Sequence, residues 1–598
     1  MSFSQRTRYC GELRKSDVGK TVTLNGWCHR IRDLGGLYFL DLRDRTGIVQ
    51  LNFDVEKHAD IAALRSEFVL SVTGLVAERS PEAVNPKLPT GEIEVVVERY
   101  EVLNECEVLP FPVSDEEQMR KVSEELRIKH RYVDLRRPTM YQKLAVRAAC
   151  VRNIRQYLDE RGFLEIETPI MTKSTPEGAR DYLVPYRLEQ GKFYALPQSP
   201  QQYKQLLMVA GVERYYQIAK CFRDEAQRAD RQPEFTQLDL EMSFVTQEDV
   251  IEVAEGVTRF VCNRVIEEFD LPLSPVSEFP RLTYDDALAR FGTDKPDLRF
   301  GLELFDVTEI ASESEFGVFR SAVEAGGIVR GIRYPGGAAL SRKQIADMET
   351  FAKEFGAKGL AHLPVAASND EEAKGIARFF SKEQLAKITQ AASAEPGDLL
   401  LFVADRQSVT LNVLARLRNE IGDRCGLRDP KRLAFCWVLD FPLVLWDEEE
   451  GRWEASHHPF TSPKASDLEY LESDPGRVRA DCYDIVCNGV EWASGSIRIH
   501  RPDVQARVFS LLGIDEASQQ ERFGHILQAF RLGAPPHGGI APGIDRLVML
   551  LLGEDNIREV MAFPKVGGGY DPLMDAPSEV DAAQLRELGI RIETDPED

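Results

Sequence analysis

An arginine-rich loop followed by a regularly alternating segment fills residues 222–244, FRDEAQRADRQPEFTQLDLEMSF. From residue 237 onward, Gln, Asp, Glu and Ser alternate with apolar residues up to Phe244, which predicts a strand with one buried and one polar face. Arg223 stands at the tip of the preceding strand, where a planar guanidinium is suited to bind a phosphate. A salt-bridged surface hairpin is the alternative, and the even spacing of the polar residues disfavours it. The segment therefore indicates an anion-binding site with a polar floor.

A pair of carboxylates marks a second candidate site in DCYDIVCNGVEWASGSIRIH, residues 481–500. Asn488 and Gly489 are a strong signal for a two-residue hairpin turn. With that turn, Asp484 and Glu491 lie on the same face, one diagonal step apart. Two carboxylates in this arrangement are able to hold Mg²⁺ together with the phosphates of a nucleotide. Two solvent-facing acids are an equally good interpretation of this pattern alone.

The same turn fixes the expected register of the hairpin. It pairs Asp484 with Ala493 across the two strands. Glu491 and Arg498 have opposite parity in a regular strand, so they face one site only if a bulge or kink resets the register. The sequence predicts that bulge within residues 493–495.

A glycine-opened helix forms the third candidate site. Gly543 precedes Asp545 and Arg546, and six apolar residues follow over 547–552. This pattern predicts a buried helix with an arginine in its first turn, although cations are not favoured at a helix N-terminus. An anion beside Arg546 would account for its position, and Gly543 would allow a ligand to approach the backbone closely. A buried Arg546 paired with Asp545 is the alternative.

Two further segments carry polar residues near a predicted helix start. TPEGARDYLVP, residues 175–185, has the Pro, Gly and charge content of a mobile loop. In ALPQSPQQYKQLLM, residues 195–208, Gln201 and Lys204 lie one turn apart. Taken alone, Lys204 is better interpreted as a solvated helix lysine.

The N-terminal part of the chain is β-rich. Five short strand candidates separated by Gly, Asp and Asn turns occur within residues 1–106. They are TVTLNGW, LYFLDLRD, GIVQLNF, EFVLSVTGLVAE and GEIEVVVERYEVL. This number of strands in so short a segment predicts a barrel of the OB type, a fold that binds oligonucleotides on one face.

The rest of the chain predicts an α+β multidomain protein. A helical stripe occupies residues 144–161, and short strands and another helix follow it. The texture changes at 286–425, where helices alternate with short strands, and we interpret this section as an inserted domain. The predicted parts are a barrel at 1–106, a hinge or connector at 107–138, a first body segment at 139–285, the insertion at 286–425, and a second body segment with a C-terminal extension at 426–598.

Overall composition sets limits on the class of protein. With 598 residues the chain is too long for one core. The net charge of −24 excludes a protein that is basic throughout, although a local basic patch suffices to bind nucleic acid. The ten cysteines form no CxxC pair, no apolar run approaches the roughly 18 residues needed to span a bilayer, and the start of the sequence lacks the apolar core of a signal peptide. These features predict a cytoplasmic protein without a zinc site, a disulfide framework or a membrane span.

Taken together, these motifs resemble those of the class II aminoacyl-tRNA synthetases. FLEIETPIM, which contains Pro169, is similar to their first motif, FRDE through QPEFTQLDLE to the second, and GIDR to the third. TPEGARDYLVP, ALPQSPQQYKQLLM, HHPFTSP and SGSIRIH narrow the resemblance to the bacterial-type aspartyl-tRNA synthetases, as does the large insertion between the second and third motifs. The resemblance spans nearly the whole chain, with the motifs in the family's order.

The resemblance implies a reaction and its partners. A member of this family activates L-aspartate with ATP and Mg²⁺ to give aspartyl-adenylate and pyrophosphate. It then transfers aspartate to the 3′-terminal adenosine of tRNA(Asp). The resemblance also implies a homodimer formed through the first motif, an antiparallel catalytic sheet flanked by helices, and an anticodon-binding role for the OB-type barrel.

Site residues follow from the same resemblance. The implied catalytic residues are Arg223, Arg546 and Glu491. The implied ligands of aspartate are Glu177, Ser199, Gln201, Lys204, Arg223, Asp239, Arg498 and His457, with His458 as the alternative to His457. The implied ligands of ATP are Arg223, Asp224, Glu225, Gln232, Glu491, Gly543, Ile544, Asp545 and Arg546, and those of Mg²⁺ are Asp484 and Glu491. The implied anticodon-binding residues are Arg30, Arg32, Phe39, Gln50 and, as a weaker candidate, Asn85.

Some positions depart from the family's pattern or allow alternatives. Phe39 is either a base-stacking residue or ordinary barrel core. Pro542 replaces a more common aromatic or aliphatic residue, and Ala493-Ser494-Gly495 replaces a glycine run. Leu34 stands where members that also charge the asparagine tRNA often have His, and Glu82 replaces a small residue. These last two positions favour an enzyme that discriminates between the two tRNAs.

Two other classes of protein compete with this interpretation. The sister enzymes for asparagine and lysine share the three motifs, but the pair Lys204 and Arg498 and the inserted domain disfavour them. The second class is a nucleic-acid-binding protein that keeps the OB-type barrel together with an inactive synthetase body. The intact residues Arg223, Asp484 and Arg546 disfavour that alternative.

Overall fold

The computed structural model describes residues 4–33, 37–174, 179–365 and 375–593. The chain divides into two compact units. The first comprises Met1–Val146, Gln227–Gln232 and Arg558–Val580, and the second Arg147–Ala226, Pro233–Ile557 and Asp581–Asp598. The domain limits drawn from the sequence stay a proposal beside this division. No helix in the described residues is long and apolar enough to cross a membrane.

A closed barrel of five strands forms the N-terminal part of the first unit, as predicted. The strands are β1 (Thr21–Asp33), β2 (Leu37–Asp44), β3 (Gly47–Asp54), β4 (Val69–Glu78) and β5 (Ile93–Asn104), in the order β1-β2-β3-β5-β4. Alternate residues point inward, so that Leu24, Leu42, Leu51, Val72 and Val95 pack in one core with 0% exposure. Each of the five strand candidates therefore folds as its period-2 pattern predicts.

Short helices joined by ion pairs follow the barrel in the first unit. They are α1 (Glu116–Met119), α2 (Glu124–Lys129) and α3 (Arg131–Asp134). Arg131 is 1% exposed and donates to Asp134 and to the backbone carbonyls of Arg558, Met561 and Ala562. Glu559 accepts from Arg127 and Lys143. The connector is thus fixed to the Arg558–Val580 segment by buried charges.

An eight-stranded sheet forms the centre of the second unit. The strands are β6 (Leu164–Glu165), β9 (Arg214–Phe222), β10 (Glu234–Ser243), β11 (Arg281–Thr283), β16 (Phe435–Leu439), β19 (Cys482–Cys487), β20 (Val490–Ile497) and β21 (His537–Pro542). Their order is β11-β16-β19-β20-β21-β10-β9-β6. The pairs from β16 to β9 are antiparallel and the two edge pairs are parallel. This confirms the antiparallel body, although the predicted strand in FLEIETPIM is reduced to Leu164–Glu165.

Helices flank this sheet. They include α4 (Pro138–Asp159), α5 (Gln201–Val209), α6 (Gln247–Glu268), α7 (Tyr284–Phe291), α13 (Pro502–Leu511), α14 (Glu516–Phe530) and α15 (Ile544–Leu552). Ile154 of α4, Leu238 of β10, Val261 of α6 and Leu547 of α15 line one small apolar cavity. Each such buried side chain contributes about 1.5–3 kcal/mol to folding. The apolar face of β10 thereby fixes the strand and turns its polar side chains toward the opposite side.

A separate four-stranded sheet lies within the section interpreted as an insertion. Its strands are β12 (Phe305–Asp306), β13 (Ile328–Tyr334), β14 (Ala361–Pro364) and β15 (Leu399–Asp405), in the order β12-β13-β15-β14. Its helices are α8 (Thr308–Ser312), α9 (Gly317–Glu324), α10 (Arg342–Glu354), α11 (Lys382–Ala391) and α12 (Gln407–Arg424). Capping boxes begin α10 at Ser341 and α11 at Ser381. In each, the serine Oγ accepts from the backbone N–H of the Gln three residues on, and the side-chain oxygen of that Gln accepts from the backbone N–H of the serine.

Two small hairpins and a short helix complete the second unit. The hairpins are β7 (Leu183–Pro185) with β8 (Phe193–Ala195), and β17 (Val444–Asp447) with β18 (Arg452–Ala455). The helix α16 (Ala582–Leu588) ends at Gly589, which adopts the left-handed conformation.

Candidate active site

Four buried charges lie together on the polar face of β10. Asp239 and Glu241 are 0% exposed, Lys204 of α5 is 1% exposed, and Arg498 is 3% exposed. Lys204 Nζ lies 2.6 Å from Asp239 Oδ1 and 3.3 Å from Glu241 Oε2. Arg498 donates through Nε to Glu241 Oε1 at 3.0 Å and through Nη2 to Oε2 at 3.2 Å. The alternating strand therefore forms a buried ionic floor, and Lys204 is not a solvated helix lysine.

The carboxylates of this floor differ in their electrostatics. Burial alone would raise the pKa of Glu241, but Arg498 and then Lys204 hold it below its usual value. Burial raises the pKa of Asp239, and the attraction of Lys204 does not compensate. Among the described residues no hydrogen-bond partner reaches the buried Asp239 Oδ2. A buried carboxylate oxygen without a donor is costly in free energy and suits the ammonium group of a ligand.

The cations of the floor retain donors for an anionic ligand. Arg498 also donates to Ser496 Oγ at 2.6 Å, and its Nη1 lies 2.7 Å from His458 Nε2. Described partners therefore account for four of the five guanidinium N–H groups. Burial and then Arg498 lower the pKa of His458 well below its usual value, which keeps its ring neutral beside the guanidinium.

Glu241 is a site residue that sequence reasoning missed. It is the partner of Arg498 and a second neighbour of Lys204. A Cβ on Gly539, which faces it on β21, would lie 2.1 Å from Glu241 Oε2, so only glycine leaves room for this carboxylate. The signal was present in the sequence, because Glu241 has the same parity as Asp239 in the alternating segment.

The start of α5 holds two of the residues predicted to bind aspartate. Ser199 Oγ accepts from the backbone of Gln201 at 3.3 Å, and Gln201 Nε2 donates to Gln205 at 3.1 Å. Gln201 thus lies one turn before Lys204 on the same helix and is buried with it. Glu177, also predicted here, lies outside the described residues. Gln198, which was not predicted, bonds both backbone groups of Ala179 just after that gap.

The hairpin that carries the two candidate metal ligands is confirmed, but its register differs from the prediction. Asp484 pairs with Ser494 and not with Ala493, because the register shifts between Ile485 and Val486. On β20 the shift skips Trp492, so the bulge lies there and not within residues 493–495. One extra residue at Trp492 reverses the parity of the strand. That reversal places Glu491 and Arg498 on a common face.

Asp484 and Glu491 have different neighbours. Asp484 is 4% exposed, and its Oδ1 lies 3.4 Å from His457 Nε2 without a hydrogen bond. Glu491 Oε2 lies 2.8 Å from Lys295 Nζ, a residue that the sequence did not single out. Burial raises the pKa of Asp484 and Glu491 adds to the rise, whereas Lys295 lowers the pKa of Glu491 against the effect of burial. His457 therefore lies at the candidate metal ligands and His458 at the cations of the floor.

These two carboxylates fit a divalent cation. The unbonded buried oxygen of Asp484 and the cation already beside Glu491 show that both acids favour a positive partner. Within the described ranges there is no cluster of three or more His, Cys, Asp and Glu side chains that could hold a metal. Asp484 and Glu491 would therefore hold Mg²⁺ only together with phosphate oxygens and water, which is how proteins usually bind this ion.

The start of α15 divides the residues predicted to bind ATP. Arg546 is half-buried and donates through Nη1 to the backbone carbonyl of Glu491 at 2.6 Å. Asp545 is 1% exposed and accepts from the backbone of Thr236 at 2.7 Å and from Arg147. Ile544 is buried at 1% exposure. Asp545 and Ile544 thus fix the helix to the sheet, and Arg546 is the side chain of this group that reaches the Glu491 region.

Arg223 stands at the end of β9, as predicted. Its backbone bonds Pro233 at 2.8 Å, and its guanidinium carbon lies 5.2 Å from the centre of the Phe235 ring. Its buried Nε has no hydrogen-bond partner among the described residues. Asp224 and Glu225, which follow it, are exposed. A stacked arginine with an unmatched N–H is prepared to bind an anion.

Gln232 and Phe244 lie on either side of β10 in the sequence. Gln232 belongs to the first unit, where its amide bonds both backbone groups of Lys565, at 3.1 and 2.9 Å. The alternation predicted a buried Phe244, and this is wrong. The strand ends at Ser243, and Phe244 has a φ of 59° and is 69% exposed.

The predicted nucleic-acid face of the barrel comes together on β1, β2 and β3. Arg32 lies opposite Phe39, and its Nη2 donates to Asp41 at 2.8 Å and to Gln50 at 3.1 Å. Arg30 is exposed and pairs with Asp41 in the ladder. Phe39 is half-exposed and does not belong to the barrel's core cluster, so its interpretation as core is not supported.

Three further positions in the barrel region were singled out from the sequence. Asn85 lies in a tight turn, where its side chain accepts from the backbone of Lys87 at 3.1 Å. Glu82 is exposed in a short helical turn. Leu34 lies outside the described residues.

Comparisons with known proteins agree with this geometry. The family described as tRNA synthetases class II (D, K and N) matches residues 123–567, and the OB-fold nucleic acid binding domain matches residues 22–103. The chain is 56% identical over 597 residues to the aspartate–tRNA(Asp/Asn) ligase of Rubrobacter xylanophilus, covering 99% of this chain and 98% of that protein. It is 52% identical to the aspartate–tRNA ligase of Geobacillus kaustophilus, covering 98% and 99%.

Solved structures share the fold at lower identity. The asparaginyl-tRNA synthetase from Pyrococcus horikoshii complexed with asparaginyl-adenylate superimposes with a TM-score of 0.59 at 19% identity, covering 94% of this chain and 98% of that one. A putative aspartyl-tRNA synthetase from Leishmania major Friedlin gives a TM-score of 0.58 at 20% identity, covering 94% of each. The chain belongs to the class II tRNA synthetases (D, K and N), which confirms the resemblance.

Proposed function

We propose that this chain is an aspartate–tRNA ligase. It activates L-aspartate with ATP to aspartyl-adenylate and pyrophosphate, and it transfers the aspartyl group to the 3′-terminal adenosine of tRNA(Asp). One observation carries the choice of amino acid, namely the buried pair of cations, Lys204 and Arg498, beside the unbonded Asp239 Oδ2. The names of relatives at 50–56% identity support the same choice.

The pocket selects aspartate by charge. Lys204 and Arg498 bind the side-chain carboxylate, and Asp239 accepts from the amino group. Asparagine is nearly the same size, but its neutral side-chain amide would bring no negative charge to the donors of Lys204 and Arg498. A site that hydrogen-bonds one ligand rejects an analogue lacking the bonding group by about 10⁴-fold, far more than shape alone achieves.

The first step needs cations more than it needs a base. The α-carboxylate of aspartate attacks the α-phosphorus of ATP, a P–O bond forms, and pyrophosphate leaves. Arg223, whose Nε is unmatched, binds the α-phosphate and the attacking carboxylate, and Arg546 faces the γ-phosphate. Stabilisation of the charge on the phosphoryl oxygens lowers the barrier. Mg²⁺ held by Asp484 and Glu491 would neutralise part of this charge.

The second step transfers the aspartyl group to the tRNA. The 3′-terminal adenosine hydroxyl attacks the aspartyl carbonyl, and AMP leaves. The barrel binds the anticodon through Arg30, Arg32, Phe39 and Gln50, since arginine binds phosphate and an exposed aromatic ring stacks on a base. We assign the cytoplasm as the compartment of this reaction.

A homodimer is part of this proposal. The segment similar to the family's first motif exposes three apolar side chains, which are Leu164 at 56%, Ile170 at 48% and Met171 at 59%. Contiguous apolar side chains exposed in this way commonly mark a protein interface. Sedimentation of the purified protein tests this part, with a single species of twice the chain mass expected.

Aspartylation of an unmodified tRNA(Asp) transcript tests the proposed function. Labelled aspartate that precipitates in acid with the tRNA is counted. This signal requires both reaction steps, with aspartate, ATP and tRNA present. Charging of this transcript with aspartate, and absence of charging with asparagine or lysine, is expected. A folded protein that charges the transcript with none of the three amino acids would instead support a nucleic-acid-binding protein.

A second candidate function is charging of tRNA(Asn) as well. The relative at 56% identity is named an aspartate–tRNA(Asp/Asn) ligase, whereas Leu34 and Glu82 led us to predict a discriminating enzyme. The same assay with a tRNA(Asn) transcript separates the two. Aspartate on tRNA(Asp) alone supports the discriminating form, and aspartate on both identifies the non-discriminating form.

A further inference from the structure

Lys295 lies at the candidate metal site but outside the segments that resemble the family's motifs. Its Nζ is 2.8 Å from Glu491 Oε2, and both side chains are about one-third exposed, at 39% and 31%. Burial by itself would lower the pKa of Lys295, but Glu491, then Asp294 and then Asp484 raise it. This ammonium group therefore pairs with Glu491, and the mechanism above assigns no role to it.

The loop that carries Lys295 is held rigidly. Arg418 is 1% exposed, and its guanidinium lies 4.1 Å from the centre of the Phe300 ring. It donates to the backbone carbonyls of Asp297, Phe300, Gly301 and Leu302 at 2.8–3.0 Å. A buried arginine bonded to four carbonyls fixes the backbone of residues 297–302, a segment that begins two residues after Lys295.

Further contacts fix the same loop to the hairpin of Glu491. Asp297 is 3% exposed and accepts from Arg299 at 2.7 Å. Gly489, at the hairpin turn, lies directly under Asp297, because an added Cβ would be 3.5 Å from its Cβ. Loop and hairpin therefore form one preorganised contact, and Lys295 is its charged side chain directed at Glu491.

We propose that Lys295 is an internal counter-cation, a positioning residue that holds the Glu491 carboxylate until a divalent metal replaces it. The ligand-free enzyme then presents a neutralised carboxylate, and a metal ion must displace the ammonium to bind. Metal would therefore bind weakly alone and enter together with the nucleotide. This inference rests on the proposed assignment of Asp484 and Glu491 to Mg²⁺.

Binding of Mn²⁺ to the nucleotide-free enzyme tests this proposal. Free Mn²⁺ measured by electron paramagnetic resonance gives the dissociation constant for the wild type and for Lys295→Met. Loss of the competing charge should tighten Mn²⁺ binding about tenfold, because the metal no longer has to displace an ammonium group from a half-buried carboxylate. Lys295→Arg keeps the charge and should bind Mn²⁺ as the wild type does.

A matched control is available in the same unit. Lys358 lies 3.0 Å from Asp405, and its side chain is 85% exposed. Lys358→Met should leave Mn²⁺ binding unchanged, and the double variant Lys295→Met/Glu491→Gln should lose the gain. Unchanged or weaker Mn²⁺ binding by Lys295→Met would overturn the proposal. Binding by Lys295→Arg that is as tight as binding by Lys295→Met would do so as well.

The assay also separates this proposal from the proposed function. Tighter Mn²⁺ binding without aspartylation of tRNA(Asp) by the wild type would reject the function and keep the counter-cation. Aspartylation with unchanged Mn²⁺ binding by Lys295→Met would do the reverse.

Discussion

Two aspartates of this protein are equally buried but differently bonded. Asp134 in the first unit and Asp239 in the second are both 0% exposed. The oxygens of Asp134 accept from Arg137 at 2.7 Å and from Arg131 at 2.8 Å. Asp239 accepts from Lys204 through Oδ1, and no described residue bonds its Oδ2. Burial of a charge alone therefore does not distinguish a structural residue from a binding residue.

The same contrast holds for two arginines. Arg131 uses four N–H groups on Asp134 and on the carbonyls that follow α15. Arg223 keeps a buried Nε without a partner among the described residues. A cluster that stabilises the fold is closed by its own hydrogen bonds, whereas a cluster that binds a ligand leaves atoms unmatched.

Paired substitutions of the two aspartates should separate stability from activity. Asp134→Asn leaves the buried Arg131 without its paired carboxylate and Arg137 with Glu116 alone, which should lower the stability of the first unit by about 3–5 kcal/mol. Asp239→Asn leaves Lys204 paired with Glu241 at 3.3 Å, so the thermal midpoint should fall less than for Asp134→Asn. Its kcat/KM for aspartate should fall at least about a hundredfold, from loss of a buried charged contact.

Thermal melting and aspartate-dependent ATP–pyrophosphate exchange measure the two effects. Each variant is the control of the other, because each loses one carboxylate of the same type and burial. The comparison would fail if Asp239→Asn unfolded the second unit, or if Asp134→Asn melted as the wild type does.

Acid should weaken the ion-pair cluster that Glu559 forms with Arg127 and Lys143. Burial alone would raise the pKa of Glu559, but Arg127 and Lys143 hold it at about 2, below its usual 4.5. A pKa depressed in the folded state means that this contribution is complete above about pH 4.5 and is lost as the pH falls toward 2. The loss amounts to about 3 kcal/mol.

Glu559→Gln should therefore melt at lower temperature at pH 7, and the difference from the wild type should shrink as the pH falls toward 2. Glu587→Gln is the control, since Glu587 forms an exposed pair with Arg187 at 3.4 Å. Thermal melts across this range give the result. A constant difference between wild type and Glu559→Gln would contradict the assignment.

The barrel face should show the smallest effect, because its charges are exposed and paired with each other. Phe39→Ala should raise the KM for tRNA(Asp) about tenfold, the effect of losing one stacked base. ATP–pyrophosphate exchange should not change, because it needs no tRNA. Leu75→Ala, an exposed apolar residue on β4, is the control and should leave both values unchanged. An unaltered KM for Phe39→Ala would remove this residue from the interface.

Periodicity predicted most of the architecture, because it follows directly from which face is buried. The five barrel strands, β9, β10 and α5 lie where their apolar patterns place them. Errors occurred where a local irregularity decided the structure. The bulge at Trp492 is not visible in the period of its strand, and the end of β10 before Phe244 breaks an otherwise regular alternation.

Prediction of the site was limited by contacts that form only in the tertiary structure. Arg223, Lys204 and Arg498 are recognisable by residue type and motif. Glu241 and Lys295 acquire meaning only through contacts between segments far apart in sequence, with Arg498 and Glu491. Such pairings depend on tertiary structure, which a pattern within one segment does not contain.

Charge selection by the unmatched pocket is the central claim, and one comparison measures it directly. ATP–pyrophosphate exchange with the wild-type protein gives kcat/KM for L-aspartate and for L-asparagine under the same conditions. A preference for aspartate of about 10³-fold or more is expected, because the neutral amide of asparagine brings no negative charge to Lys204 and Arg498. Equal exchange with both amino acids, or exchange with asparagine alone, would contradict the account.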